Sequence, residues 1–288
     1  MTEAKKATAR RNAKDTIFAD LFSIPKYLLQ LFQALHPEMT DVKENDLKIL
    51  TLTHVLFNRT YNDMGILVKN KLIILIEAQS TWSINILIRV LLYLASTYHD
   101  YIHDNGKIVY SSTKLEIPEP EFYIIYTGDK KIEKDFISLR EDFFENPNAK
   151  LDLTARVIHV ENKDDIIGQY IIFCHVFDEQ RKIHGYSKAT IENTIRICQN
   201  SNVLREYLES RKKEVIDIMF TLFSQEYATE AYGREQKIQG VVETCRKLGS
   251  SIENAINMVS ESLGLSKDTA AGYVKEFWEN NTEGGTTL

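Results

Sequence analysis

Two carboxylates stand close together in the run Tyr61-Asn62-Asp63-Met64-Gly65-Ile66-Leu67-Val68, Lys69-Asn70-Lys71, Leu72-Ile73-Ile74-Leu75-Ile76-Glu77-Ala78-Gln79. Aliphatic runs on either side of a three-residue polar break predict a β-hairpin with Lys69 to Lys71 as its loop. In that register Val68 opposes Leu72 and Asp63 opposes Glu77. Directly opposed Cβ atoms are roughly 4.5–5.5 Å apart, and like charges there repel. Glu77 also interrupts a strand that is apolar on both faces, where a carboxylate is costly unless a cation meets it. A divalent metal held by Asp63 and Glu77 would resolve the conflict. Gln79 points to the same side as Glu77, since strand side chains repeat every two residues. Two other readings stay open. With a loop of Asn70-Lys71, Asp63 would oppose Ala78, and two acids near the ends of a hairpin can simply face water.

The 288 residues can bury a substantial core as one large or two modest domains. A hydrophobic content of 43% and a charged content of 26% fit a soluble globular protein. A net charge of −6 argues against a wholesale polyanion-binding surface and leaves room for local basic patches. Cys174, Cys198 and Cys245 are odd in number and widely spaced, which predicts free thiols in a reducing compartment. The basic N-terminus has no apolar run behind it, so no signal peptide is read there. Ile86 to Ala95 is broken by Arg89 and falls short of a membrane span. A cytoplasmic protein that does not enter the membrane is expected.

The elements that must position the acids follow from periodicity. Residues 1–13 read as a disordered basic arm and 282–288 as a disordered tail. Asp15 to Leu35 is an amphipathic helix with a break expected near Ile24, before Pro25. Leu47 to Asn58 alternates as a strand, and the hairpin supplies two more. Ser83 to Asp104 is the strongest helix, its core stripe being Ile84, Leu87, Ile88, Leu91, Ala95 and Tyr98. Arg89 is the only charge between Gln79 and His99. It reads either as a partly buried partner of an acid such as Glu77 or as a nucleic-acid phosphate contact, and the two do not exclude each other. Glu121 to Thr127 and Leu151 to Val160 read as strands, with a charged helical or irregular stretch between them. Helices are expected at about 164–178, 187–199, 202–226, 229–248, 251–263 and 267–279. Gly264-Leu265-Ser266 predicts a tight turn between the last two.

No Gly-rich phosphate loop, GxSxG, HExxH or Cys/His cluster is present. His99 and His103 share one helix face, more often a solvated helix end than a metal site. What remains is an acid, then Glu-x-Gln on the adjacent strand, after an acid-bearing helix. This pattern resembles the PD-(D/E)XK phosphodiesterase superfamily. More closely, the chain resembles the bacterial recombination-promoting nuclease/putative transposase family, over roughly residues 14–235. The likeness is carried by Lys14-Asp15-Thr16-Ile17-Phe18-Ala19-Asp20-Leu21-Phe22, Tyr61-Asn62-Asp63 and Ile76-Glu77-Ala78-Gln79-Ser80-Thr81-Trp82. Arg89 with Tyr93, Tyr123-Ile124-Ile125-Tyr126-Thr127-Gly128-Asp129 and Phe177-Asp178-Glu179-Gln180 also fit.

The resemblance implies an α/β fold: a restriction-endonuclease-like mixed sheet flanked by helices (an αβββαβ core) with an all-helical C-terminal region. It implies a nuclease core over 14–162, a helical region over 163–250 and a helical hairpin over 251–281. That hairpin is loosely like a helix-turn-helix, or else an oligomerisation module. It implies metal-dependent cleavage of DNA, with Asp63 and Glu77 as ligands of Mg2+ (or Mn2+ or Ca2+) and Asp15, or as second choice Asp20, supporting the metal site. Where the superfamily usually has Lys, this chain has Gln79, which can orient water but brings no charge. Two functions are open: a DNA endonuclease of recombination, mobile elements or phage defence, and a catalytically weak DNA- or protein-binding descendant. A homo-oligomer formed through the C-terminal helices is a further expectation.

Overall fold

Pro25 divides the first helical stretch as expected. Its ring holds Ile24 in an extended conformation (φ −82°, ψ 120°), so the chain stops and restarts as α1 (Ile17–Ser23) and α2 (Pro25–Leu35). A computed structural model describes residues 17–50, 63–78, 82–128, 132–159 and 162–280, apart from the side chains of 76–78, 222–231 and 279–280. The basic arm, Asp15, residues 51–58 of the expected first strand, Gln79 and the C-terminal tail lie outside the described residues.

The described strands are β1 (Leu47–Leu50), β2 (Asp63–Val68), β3 (Lys71–Ala78), β4 (Glu119–Tyr126), β5 (Phe136–Ser138) and β6 (Thr154–Ile158). They form one mixed sheet in the order β1-β2-β3-β4-β6-β5. β3, β4 and β6 run parallel, and the outer pairs are antiparallel. A parallel β3–β4 pair needs a crossover, which α3 (Ile86–Asp104) provides. The expected helix–strand–strand–strand–helix–strand order is present.

Helices cover both faces. On one, Leu72, Ile74, Ile124, Tyr126, Ala155 and Val157 pack with Ile86, Leu87, Val90 and Tyr93 of α3. On the other, α1 meets α4 (Ile166–His184) through Phe18 and Tyr170, whose ring centroids are 5.4 Å apart, and α2 packs on α4. α5 (Lys188–Asn200) and α6 (Arg205–Ser210) follow.

Three expectations need correction. The hairpin turns on two residues, Lys69 and Asn70, and Val68 pairs with Lys71. Lys71 belongs to the strand because its ammonium finds the Glu121 carboxylate on neighbouring β4, so its charge does not force it into the loop. The stretch between the fourth and fifth expected strands contains β5 and a π-helical turn, Leu139–Phe143. Among the described residues there, Ile137, Ser138 and Leu139 are the fully buried run, too short to show a period. The helices expected at 202–226 and 229–248 are α6 and a continuous α7 (Lys212–Lys247), broken at Arg211.

The chain divides into compact units Met1–Thr221 and Leu222–Leu288, the boundary falling within α7. In the second unit Ile238, Val242 and Cys245 of α7 pack with Ala255 and Val259 of α8 (Ile252–Leu263) and Ala270 and Val274 of α9 (Lys267–Asn280). Gly264 caps α8 in the left-handed region (φ +61°), and the Ser266 hydroxyl accepts from Thr269 N at 3.2 Å, giving the predicted tight turn. The exposed residues of α9 include Lys267, Asp268, Lys275 and Glu276, a mixture with no basic face.

Asp20 ties the start of the first unit to its end. Its Oδ2 accepts from the Tyr207 hydroxyl (2.8 Å) and Arg211 Nε (3.0 Å), and its Oδ1 from Arg211 Nη2 (2.7 Å). Burial, with the Asp20 charge, pushes the Tyr207 hydroxyl pKa up. The forked contact joins a half-buried guanidinium to a largely buried carboxylate, so Asp20→Ala should lower unfolding free energy by about 1–3 kcal/mol in urea. A loss below about 0.5 kcal/mol would mean that the clamp is a surface contact.

Candidate functional site

Among the described side chains, Asp63 forms a carboxylate–guanidinium pair with Arg89. Because the turn has two residues, Asp63 pairs across the hairpin with Ile76. Glu77 is one residue further on, and its backbone pairs with Ile125 of β4. Direct opposition of Asp63 and Glu77 is therefore corrected, and with it the like-charge clash. The alternative pairing with Ala78 is also absent.

The Asp63 side chain is only 3% exposed. Its Oδ1 accepts from Arg89 Nη2 at 3.2 Å, and the Arg89 side chain is 19% exposed. Arg89 thus finds an acid on β2. The sequence dictates this locally: α3 crosses the sheet face bearing Asp63, and Arg89 is the one cation in its first three turns. A buried carboxylate needs a cation, and the guanidinium, the more solvent-facing partner, supplies it.

This pair sits at one end of the sheet. Asp63 opens β2 beside the carboxyl end of β3, which carries Glu77. In open α/β sheets, ligands bind outside the carboxyl ends of parallel strands. The same end carries Trp82, whose ring lies edge-on to Tyr126 at 5.5 Å. A Cβ on Gly128 would lie 2.5 Å from the Tyr126 hydroxyl oxygen, so a larger residue there would push the Tyr126 ring aside. His159 follows the last β4–β6 pair, Ile125 with Ile158, and its buried Nε2 has no hydrogen-bond partner among the described residues. Nothing in the sequence singles out His159, because parallel pairing of distant strands leaves no local mark.

The opposite end of the sheet is closed. Glu121 accepts from Lys71 and the Tyr123 hydroxyl, and His36 Nε2 lies 2.9 Å from its Oε2. His36 Nδ1 lies 3.1 Å from Glu38 Oε1. Burial, then the Glu121 charge, raises the Tyr123 hydroxyl pKa, and the hydrogen bond to Glu121 raises that of Lys71.

Among the described residues no three His, Cys, Asp or Glu side chains converge as a metal cluster. The Glu77 side chain, Asp15 and Gln79 lie outside that description, so the described donor is Asp63. Carboxylate and amide oxygens suit a hard cation such as Mg2+ or Mn2+. A divalent ion on Asp63 and a guanidinium about 5 Å away repel by roughly 7 kcal/mol at an effective dielectric constant near 20. Comparison with protein-family models, curated proteins and solved structures gives no match.

Removing Arg89 leaves a carboxylate buried without its guanidinium. Arg89→Ala should lower stability by about 3 kcal/mol in metal-free buffer, and Asp63→Asn in that background should recover part of the loss. Denaturant melts of the four proteins in the cycle measure the coupling. Additive losses would show that the pair contributes nothing.

Proposed function

We propose that this chain is a metal-dependent DNA phosphodiesterase of the PD-(D/E)XK type, in which Asp63 and Glu77 hold Mg2+ or Mn2+. The observation that carries the reading is a deeply buried carboxylate, Asp63, opening β2 beside the strand end that bears Glu77. Pairing with Ile76 puts position 77 on the alternate face, so a shared metal would require the two to meet around the strand ends. Support comes from the order of elements around a mixed sheet and from the oxygen-only donors. When bound, the metal would activate a water and offset charge on the phosphorane. Gln79 orients that water through its amide, Asp15 supports the metal site, and Arg89 offers its guanidinium to a DNA phosphate. Recombination, mobile-element movement or phage defence are the settings such an activity serves. The C-terminal helices serve as an oligomerisation module rather than a DNA grip, because α9 lacks a basic face.

A second reading is favoured by a specific observation. Asp63 already has its charge offset by Arg89 and pairs with Ile76, the arrangement expected of a descendant that has kept the scaffold and lost the chemistry.

Plasmid nicking separates the two. The wild-type chain should nick supercoiled DNA in Mg2+ or Mn2+ and not in EDTA. Glu77→Gln should lose at least ~100-fold, the upper end of what even a second-shell change costs at a metal site. Absence of metal-dependent nicking above an Asp63→Asn control would sink the enzyme reading. Gln79→Ala should lower kcat with little change in DNA affinity, since only the transition state loses the contact. Equal losses in affinity and turnover would make Gln79 a binding residue instead.

A further inference from the structure

Arg89 and a divalent cation compete for the same carboxylate. The guanidinium touches Asp63 Oδ1 at 3.2 Å and is the more exposed partner, 19% against 3%. It is therefore the partner that solvent reaches, and its charge opposes any divalent ion placed beside Asp63. It rides on a side chain long enough to leave without moving α3, and a guanidinium pairs as readily with phosphate as with carboxylate.

We propose that Arg89 is an exchangeable counter-cation: it occupies Asp63 in the free chain and moves to a backbone phosphate when DNA binds, opening Asp63 to the metal. The exchange rests on the phosphodiesterase reading for the identity of its ligands. It makes metal and DNA binding mutually reinforcing, each tightening the other by the same factor. It also keeps the metal off the chain until a substrate phosphate is present.

The test is titration of Mn2+ alone into the full chain, wild type, Arg89→Met and Arg89→Gln, followed by calorimetry. The titrations are repeated with a phosphorothioate duplex that resists cleavage. Without DNA, both variants should bind Mn2+ at least ~10-fold tighter than wild type, because the competing charge is gone. The duplex should tighten Mn2+ binding by wild type ~10-fold and leave the variants nearly unchanged. Arg89→Gln keeps a hydrogen-bond donor for Asp63 and carries the test if Arg89→Met does not fold. Mn2+ affinity equal to or weaker than wild type in the folded variants overturns the exchange. If wild type then still nicks DNA with Mn2+, the phosphodiesterase reading stands without it. If no protein binds Mn2+ and none cuts DNA, both fall together.

Discussion

A carboxylate buried to 3% exposure must be met by positive charge, and in this protein that demand fixes the relation between the hairpin and α3. Asp63 enters the sheet at the first residue of β2, where the strand leaves solvent. Arg89 is the one cation on the helix that covers that face. The pair therefore acts as a register mark: sliding the hairpin by one residue would turn Asp63 to the opposite face and strand both charges. Hydrophobic burial alone does not specify that register. The residues of β2 and β3 are aliphatic on both faces, and a slipped pairing would bury nearly as much.

Much of the fold is legible from single residues whose chemistry leaves one option. Pro25 forces the break between α1 and α2, and Gly264 followed by Ser266 forces the turn between α8 and α9. The apolar stripe of α3 is long enough for its period to be unmistakable. The hairpin register is not legible in the same way. Three polar residues, Lys69 to Lys71, look like one loop until Glu121 on a strand fifty positions later is known to receive Lys71. β5 is hidden because an edge strand of three residues among charges has no room to alternate. The break at Arg211 is equally non-local, since Arg211 is held by Asp20, 191 positions away.

The candidate site divides along the same line. Types and order of residues are enough to single out Asp63, Glu77, Gln79, Asp15 and Arg89. Contacts are not: the sequence leaves the acid partner of Arg89 open, with Glu77 as one candidate, and the structure shows Asp63 in contact with it. Which acids share the face of Arg89 turns on one residue of register. Helix–strand contacts depend on which face a strand residue occupies, and alternation makes that face a parity that a single added turn residue reverses.

The two ends of the parallel strands are built to opposite rules, and that contrast points to where chemistry belongs. At the amino end, Glu121 gathers Lys71, Tyr123 and His36, and His36 reaches Glu38 with its other nitrogen, so donors and acceptors are matched. Such a network rigidifies, and a ligand would have to break bonds to enter it. At the carboxyl end the buried His159 Nε2 finds no partner among the described residues. There the Asp63 carboxylate is met by the long side chain of Arg89, whose guanidinium pairs with phosphate as well as with carboxylate. The amino end is thus fixed by a network joining several elements, whereas the described contact at Asp63 is made by one flexible side chain.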